Sequence, residues 1–271
     1  LSYPSGAFTN IGGDVSYVGT GYTFDTKTLL YTLWSWGRNQ EGTLGQNNTT
    51  KYSSPTQIPG SWTRLGRILN TKTAAAAKTA GSLWVWGQNE HGELGQNQAE
   101  AQLGGTSSPV QVPGTTWAYA NLSHNDTFVT KTDGTLWAWG RNDYGELGQN
   151  NTTKYSSPVQ IPGTTWDLTN TRGNQSFATK TDGTLWAWGY QEYGELGLNE
   201  HNAQKSSPVQ VPGTTWNSGL GKLSSFQNAY YAIKTDGTLW AWGRNDTYGQ
   251  LGQNDKTNRS SPVQIPGTTW S

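Results

Sequence analysis

A short alternation of bulky and small residues recurs along the chain. The pattern Leu-Trp-x-Trp-Gly occurs five times, beginning at Leu33, Leu83, Leu136, Leu185 and Leu239. Successive side chains of a β-strand point to opposite faces, so both tryptophans of a copy lie on one face. Thr-Asp-Gly-Thr directly precedes three of the copies, and Asp-Gly between β-forming residues predicts a tight hairpin turn. Each of these three copies is therefore predicted to be the second strand of a hairpin.

Two further strands are predicted in each unit. Pro208-Val209-Gln210-Val211-Pro212 is typical of an edge strand, where a proline removes no ladder hydrogen bond. Another strand follows a tryptophan that marks the repeat, as in Trp117-Ala118-Tyr119-Ala120. No unit has a helical period. Four short strands per unit predict an all-β fold, a β-propeller built of four-stranded blades.

The marker tryptophans define the length of the repeat. They are Trp62, Trp117, Trp166, Trp216 and Trp270, at intervals of 55, 49, 50 and 54 residues. Phe8 lies 54 residues before Trp62. It ends the segment Pro4-Ser5-Gly6-Ala7-Phe8, a degenerate copy of the Pro-Gly-Thr-Thr-Trp motif that contains the marker tryptophan. We therefore predict one domain, 1–271, with five units at about 8–61, 62–116, 117–165, 166–215 and 216–271, closed into a five-bladed ring.

The tryptophans are predicted to form the core. In a propeller both faces of a blade are covered by its neighbours, so a tryptophan face can pack on the small-residue face of the adjacent blade. One buried tryptophan removes about 150–250 Å² from water. All fifteen tryptophans belong to the repeat, which leaves none for a unique pocket.

One unit of the chain resembles the regulator of chromosome condensation repeat. The resemblance is carried by residues 134–150, Gly-Thr-Leu-Trp-Ala-Trp-Gly-Arg-Asn-Asp-Tyr-Gly-Glu-Leu-Gly-Gln-Asn, and by the Ser-Ser-Pro-Val-Gln that follows them. The resemblance covers all five units. It implies a propeller that binds other macromolecules through its rims. The best-known member is a nucleotide exchange factor for a small GTPase, but the repeat serves many unrelated proteins.

Two departures from that family pattern limit what is carried over. The family usually has seven repeats, and five are present here. The usual histidine before the hairpin turn is replaced by Asp126, Gln175 and Ala229 in the three clearest units. The sequence has no counterpart to the insertion with which an exchange factor contacts its GTPase. Exchange activity is therefore not expected.

Composition excludes several classes of function. Charged residues are 13% of the chain, the net charge is zero, and there is no cysteine. A nucleic-acid binder normally carries a basic excess, so no nucleic-acid partner is expected. No apolar run reaches the roughly 20 residues that a membrane helix needs, so we expect no membrane insertion.

No constellation of residues predicts catalysis, a metal site or a cofactor. The three histidines, His91, His124 and His201, occupy different offsets in their units. Glu93, Glu146 and Glu195 share one offset and are expected at the surface. Asp133, Asp182 and Asp236 are expected to serve the hairpin turns, and Arg38, Arg141 and Arg244 to anchor loops rather than bind anions. We predict that the protein is not an enzyme.

The loops that break the repeat are the candidate binding site, because loops on a rigid scaffold commonly carry recognition. They join the innermost strand of a unit to the next strand. The candidate residues are His124, Asn125, Asp126, Arg172, Asn174, Gln175, Phe226 and Gln227. The alternative is that these loops only tolerate sequence drift.

Three functions remain open. The first is a non-enzymatic attachment or structural module on an extracellular or virion surface, with a protein or glycan partner and assembly into a larger particle or filament. Within it, a multivalent lectin is an alternative, because aromatic-walled clefts between similar blades could bind sugars. The third is an intracellular hub or exchange-factor-like propeller, located in the cytoplasm. That function predicts charged, unit-specific rim patches, which are scarce here.

Overall fold

The computed structural model describes residues 31–65, 67–68, 72–78, 81–98, 104–123, 125–219, 221–226 and 228–270. Within these ranges the regular structure is entirely β, in nineteen strands. They are β1 Tyr31–Gly37, β2 Tyr52–Trp62, β3 Arg64–Leu65, β4 Arg67–Ile68, β5 Thr73–Ala77, β6 Trp84–Gly87, β7 Thr106–Gln111, β8 Trp117–Leu122, β9 Asp126–Lys131, β10 Leu136–Gly140, β11 Tyr155–Ile161, β12 Trp166–Arg172, β13 Gln175–Lys180, β14 Leu185–Gly189, β15 Lys205–Gln210, β16 Leu223–Phe226, β17 Ala229–Ile233, β18 Leu239–Gly243 and β19 Arg259–Gln264.

The strands form five sheets, one for each sequence unit. Blade 1 contains β1 and β2 among the described residues, blade 2 has the order β3-β5-β6-β7, and blades 4 and 5 have the orders β12-β13-β14-β15 and β16-β17-β18-β19. Blade 3 consists of β8 to β11, with β4 added in parallel beside β8. The other pairings are antiparallel. The all-β propeller predicted from the sequence is confirmed.

The first strands of neighbouring blades lie side by side and form the inner part of the assembly. Asn121 of β8 donates its amide to the carbonyl of Thr169 in β12, at 2.6 Å. Asn170 of β12 donates likewise to the carbonyl of Leu223 in β16, at 2.6 Å. The Ser-Ser-Pro-Val-Gln strands of blades 2 to 5, and the Ser-Ser-Pro-Thr-Gln strand of blade 1, stand at the opposite, outer edge of each sheet. The missing proline N–H breaks no ladder there.

Adjacent blades are joined by a contact that repeats four times, which we call the tryptophan junction. In the last four Leu-Trp-x-Trp-Gly copies, the second tryptophan donates its indole N–H to a backbone carbonyl in the Gly-rich connection of the preceding blade. The pairs are Trp86 to Thr43 at 2.9 Å, Trp139 to Glu93 at 2.8 Å, Trp188 to Glu146 at 2.6 Å and Trp242 to Glu195 at 2.7 Å. Packing therefore runs from each tryptophan face to the small-residue face of the preceding blade.

A glycine, a backbone hydrogen bond and a cluster of apolar side chains surround the indole in each junction. Gly148 has a φ of +68°, and a Cβ placed there would lie 3.1 Å from the Trp188 indole nitrogen. Asn150, also in a left-handed conformation with φ of 57°, donates its backbone N–H to the Ser206 carbonyl of the next blade at 2.7 Å. The buried side chains Phe128, Leu136, Ala138 and Leu147 form one cluster with Trp166 and Trp188. Each core of the protein is thus an interface between two blades.

The ends of this series keep uncovered faces. Trp36 of blade 1, which corresponds to the fully buried Trp139, is 60% exposed. A closed ring would bury it against blade 5, and closure is not seen among the described residues. The five-bladed closed ring therefore stays a prediction. No helix in the described part of the chain is long and apolar enough to span a membrane.

We expect Trp139→Ala to lower the free energy of unfolding by about 3–5 kcal/mol, the usual cost of deleting a large buried aromatic side chain. The loss includes the indole bond to blade 2. Denaturant unfolding followed by circular dichroism measures it. Phe226→Ala, at a side chain that is 56% exposed, serves as the control and should cost far less. Equal stability of Trp139→Ala and the wild type would contradict the core assignment.

Candidate functional site

Each blade has two chemically different ends. One end carries the hairpin turns, where a carboxylate oxygen of Asp133, Asp182 or Asp236 accepts hydrogen bonds from the backbone N–H and hydroxyl of the threonine two residues later. These bonds lower the pKa of all three carboxyl groups. The sequence prediction that these aspartates serve the turns is confirmed.

The other end, which we call the loop end, carries the repeat-breaking loops that contain the candidate binding residues. It contains the loops after the first strands, 123–126, 172–175 and 226–229, and the start of each Gly-rich connection. Backbone hydrogen bonds join the two: Arg141 N–H donates to Asn125, Tyr190 to Asn174 and Arg244 to Asn228, each at 2.9 Å. The repeat thus brings loops from successive blades to one rim, as the sequence predicts.

The predicted loop residues differ in how accessible they are. Asn125, Asp126 and Gln175 are buried, and Asn174 is half-buried. Phe226 is 56% exposed at the end of β16. Gln175 accepts a hydrogen bond from the Tyr230 hydroxyl of the next blade at 3.1 Å, so it also joins two blades. The buried members position the rim rather than contact a partner directly.

The side-chain exposure of three candidate residues is not described. His124 and Gln227 lie outside the described residues, and Arg172 is described only as the last residue of β12. Their assignment to a binding site stays a prediction.

Asp126 is a buried carboxyl among other acidic groups. Burial raises its pKa well above the usual range, and the negative charges of Glu146 and Glu93 raise it further. A hydrogen bond with Ser123 and the positive charge of Arg141 lower it by less. One carboxylate oxygen of Asp126 has no hydrogen-bond partner. The charged form of Asp126 is therefore a source of instability at the base of the rim.

The repeated glutamates are not at the surface, which corrects the prediction from the sequence. Glu93, Glu146 and Glu195 are at most 1% exposed. Their carboxylates accept backbone N–H bonds from His91, Tyr144 and Tyr193, at 2.7, 2.6 and 2.7 Å. The same residues supply the carbonyls of the tryptophan junctions. Their role is to shape the Gly-rich connection, and burial raises the pKa of Glu93 and Glu146.

A row of tyrosine and arginine side chains crosses the junctions of blades 3, 4 and 5 at the loop end. The rings of Tyr144 and Tyr190 are 4.9 Å apart between centroids. The Arg141 guanidinium carbon lies 5.7 Å from the Tyr144 ring, and that of Arg244 lies 4.7 Å from the Tyr193 ring. We call Arg141, Tyr144, Tyr190, Tyr193 and Arg244 the aromatic–arginine band.

Acidic side chains hold this band in place. Glu192 accepts a hydrogen bond from the Tyr190 hydroxyl at 3.3 Å and connects the two halves of the band. Asp143 binds the Arg141 guanidinium at 2.6 Å, and Asp246 binds that of Arg244 at 2.7 Å. The predicted anchoring role of Arg141 and Arg244 is therefore confirmed. All five band residues remain half-exposed.

The tyrosines of the band are not among the candidate residues that the sequence pattern indicates. Two sequence positions nevertheless predict the band. The residue before the first Gly of a connection faces, across the junction, the residue that follows Trp-Gly in the next blade. These offsets hold Tyr144 and Tyr190 at one junction and Tyr193 and Arg244 at the next. The pairing becomes visible only when the direction of blade packing is known.

Two small clefts lie between described blades. The cleft lined by Leu168, Thr179 and Leu223 between blades 4 and 5 has a volume of about 20 Å³, and the cleft beside Trp117 between blades 2 and 3 has the same volume. That is space for about one water molecule. Within the described ranges no three acidic or histidine side chains come together as a metal site would require.

Comparison with known proteins agrees with this architecture. The family model for the regulator of chromosome condensation (RCC1) repeat matches residues 32–69, 133–166, 182–218 and 236–269. The structure of human WBSCR16 is 19% identical with a TM-score of 0.67, over 87% of this chain and 63% of that one. Yeast RCC1 (Prp20), in a complex with Kap60, is 16% identical with a TM-score of 0.70, over 88% of this chain and 57% of that one. The chain thus spans about three fifths of these relatives. No curated protein sequence matches significantly.

We expect Asp126→Asn to change how stability depends on pH. A carboxyl with a raised folded-state pKa binds more protons when folded, so its contribution to stability falls as pH rises above its unfolded pKa of about 4. The variant should equal the wild type below about pH 4 and become progressively more stable than it at higher pH. Denaturant unfolding at several pH values measures the difference.

Asp133→Asn provides the control of opposite sign. Because hydrogen bonds from Thr135 lower the pKa of Asp133, its removal should cost stability at neutral pH and nothing in strong acid. An Asp126→Asn variant that is less stable than the wild type at neutral pH would contradict the assignment of Asp126 as an unfavourable buried charge.

Proposed function

Because this chain belongs to the family of the regulator of chromosome condensation (RCC1) repeat, we propose that it is a non-enzymatic protein-binding propeller whose loop end receives the partner. The aromatic–arginine band carries this proposal. Tyrosine and arginine are enriched among the residues that dominate binding energy at protein interfaces. Here they form a row across three blades, with Phe226 exposed on the same rim.

The physical state of the band suits recognition. The tyrosine rings pack against each other, and Asp143, Asp246 and Glu192 hold the two guanidinium groups and the Tyr190 hydroxyl. Side chains held in this way lose little rotamer freedom when a partner covers them. Arg141 and Arg244 keep guanidinium donors beyond those bound to aspartate, since an arginine has five N–H groups. The surface therefore offers flat aromatic area together with donors for carboxylates or carbonyls of a partner.

The family also bears on the competing functions. The structure of yeast RCC1 with Kap60 is that of a relative bound to another protein, which favours the hub alternative over surface attachment. The clefts of about 20 Å³ beside Thr179 and Trp117 do not hold a sugar ring, which weighs against the lectin alternative. Location at an extracellular or virion surface stays a prediction from composition, and exchange activity is not part of the proposal.

We expect a photo-reactive aromatic residue at Tyr144 to form a covalent adduct with one protein in cells of the source organism. A probe at Thr164, on the hairpin-turn end of blade 3, is the matched control and should form none. Adding Tyr190→Ala and Arg244→Ala to the Tyr144 probe should abolish the adduct while the melting temperature changes little, because these side chains lie at the surface.

Equal labelling from Tyr144 and Thr164 would contradict a partner at the loop end. Labelling that survives removal of Tyr190 and Arg244 side chains would show that the band does not carry the binding. Mass spectrometry of the adduct identifies both the partner and the contact residue.

A further inference from the structure

The chain contains four complete tryptophan junctions and the two separate halves of a fifth. One half is on blade 5, in the connection 249–254. The other half is on blade 1, at Trp36 and the outer-strand residue Ser53. The blade 5 half keeps the glycines and the leucine of the complete junctions, with Gln250 in place of Glu146, and the blade 1 half keeps the tryptophan and the serine. Both lack a counterpart among the described residues.

The half on blade 5 is an open socket for a tryptophan. Gly252 corresponds to Gly148, but no atom lies closer than 4.0 Å to a Cβ placed on Gly252, whereas the Trp188 indole lies 3.1 Å from a Cβ on Gly148. Gly252 is exposed, while Gly45, Gly95, Gly148 and Gly197 are buried. The carbonyl of Gln250 takes the place of the Glu146 carbonyl and accepts a hydrogen bond from the Tyr231 hydroxyl of its own blade at 2.6 Å. A carbonyl can accept a second donor, as the Glu146 carbonyl does from Ser176 and Trp188.

The half on blade 1 is the matching tryptophan strand. Trp36 is 60% exposed, although its four counterparts are at most 2% exposed. Ser53 is exposed too, whereas its counterpart Ser206 is half-buried and packs within 2.5 Å of the Cβ position of Gly145. Trp34, two residues away on the same face of β1, is 48% exposed. Contiguous exposed apolar side chains of this kind mark an interaction surface.

A tyrosine–arginine pair that crosses a complete junction also has its two members separated on the open halves. Tyr193, just before the Gly of its connection, lies beside Arg244, which follows Trp-Gly in the next blade. Tyr248 and Arg38 hold these two positions at the open halves. Tyr248 is 72% exposed, and the Arg38 side chain is 64% exposed. The indole, the serine strand and the arginine all match the socket on the other end.

We propose that the socket at Gln250–Gly252 binds the Trp36 strand of a second copy of this chain, so that copies join head to tail through a fifth tryptophan junction. Continuity with the four internal junctions carries this choice of occupant. Among the described residues, a single chain presents both halves open at once. A contact between unlike surfaces can propagate from copy to copy.

Two variants each remove one half. Trp36→Ala deletes the side chain that enters the socket. Gly252→Asn fills the socket, and asparagine tolerates the left-handed conformation with φ of +65° found there. The full chain should show a mass that rises with concentration in sedimentation velocity, whereas each variant alone should stay monomeric with an unchanged melting temperature.

Mixing the two variants is the decisive experiment. Each keeps the half that the other lacks, so the mixture should give a species of twice the monomer mass that does not grow further. Gly148→Asn is the matched control, because the same change at a covered junction should lower the melting temperature.

Two results would overturn the proposal. A wild type that stays monomeric while Trp36→Ala lowers its melting temperature would show that the chain closes on its own blade 1. A wild type that stays monomeric, with both variants melting as it does, would show that the open halves bind nothing. Neither result would affect the partner surface at the loop end, which the Tyr144 probe tests separately.

Discussion

The structure depends on one contact: the tryptophan indole N–H of one blade donates a hydrogen bond to a backbone carbonyl of the preceding blade. It requires a tryptophan long enough to reach across, a glycine that lets the ring approach, and a connection bent so that its carbonyl points toward the next blade. The buried glutamates hold that bend by accepting backbone N–H groups. Because the cores lie between blades, no blade can bury its apolar faces alone.

This constraint also determines where the chain is free to vary. The Trp, Gly and Glu residues are required for packing in the junction. The residue before each connection Gly and the residue after each Trp-Gly lie beside the junction and are not required for it. Those flanking positions meet at the loop end and hold the tyrosines and arginines of the band. The proposed binding surface is therefore positioned by the same contact that holds the blades together, and its residues can change without loss of packing.

Much of the fold could be predicted from the sequence, because Trp-x-Trp alternation and Asp-Gly turns are local signals that tertiary packing here reinforces. The strand at Trp117 and the turns at Asp133, Asp182 and Asp236 are confirmed. The strand predicted at 208–212 lies instead at Lys205–Gln210, with Pro208 inside it and Pro212 beyond its end. The burial of Glu93, Glu146 and Glu195 could not be predicted, since a charged side chain in a Gly-rich loop is normally solvated, and only the inward bend of the connection reverses this. The pairing of Tyr144 with Tyr190 also depends on which neighbour each blade faces, and alternation within a strand does not contain that information.

Hydrogen exchange of the individual indole N–H groups tests the central claim most directly. The account predicts that Trp139, Trp188 and Trp242 exchange slowly, near the rate set by global unfolding, because their N–H groups bond to carbonyls inside the junctions. Trp137, Trp186 and Trp240 bond instead to the hydroxyls of partly buried threonines and should exchange faster. Exchange of Trp139, Trp188 and Trp242 at least as fast as that of Trp137, Trp186 and Trp240 would contradict the account.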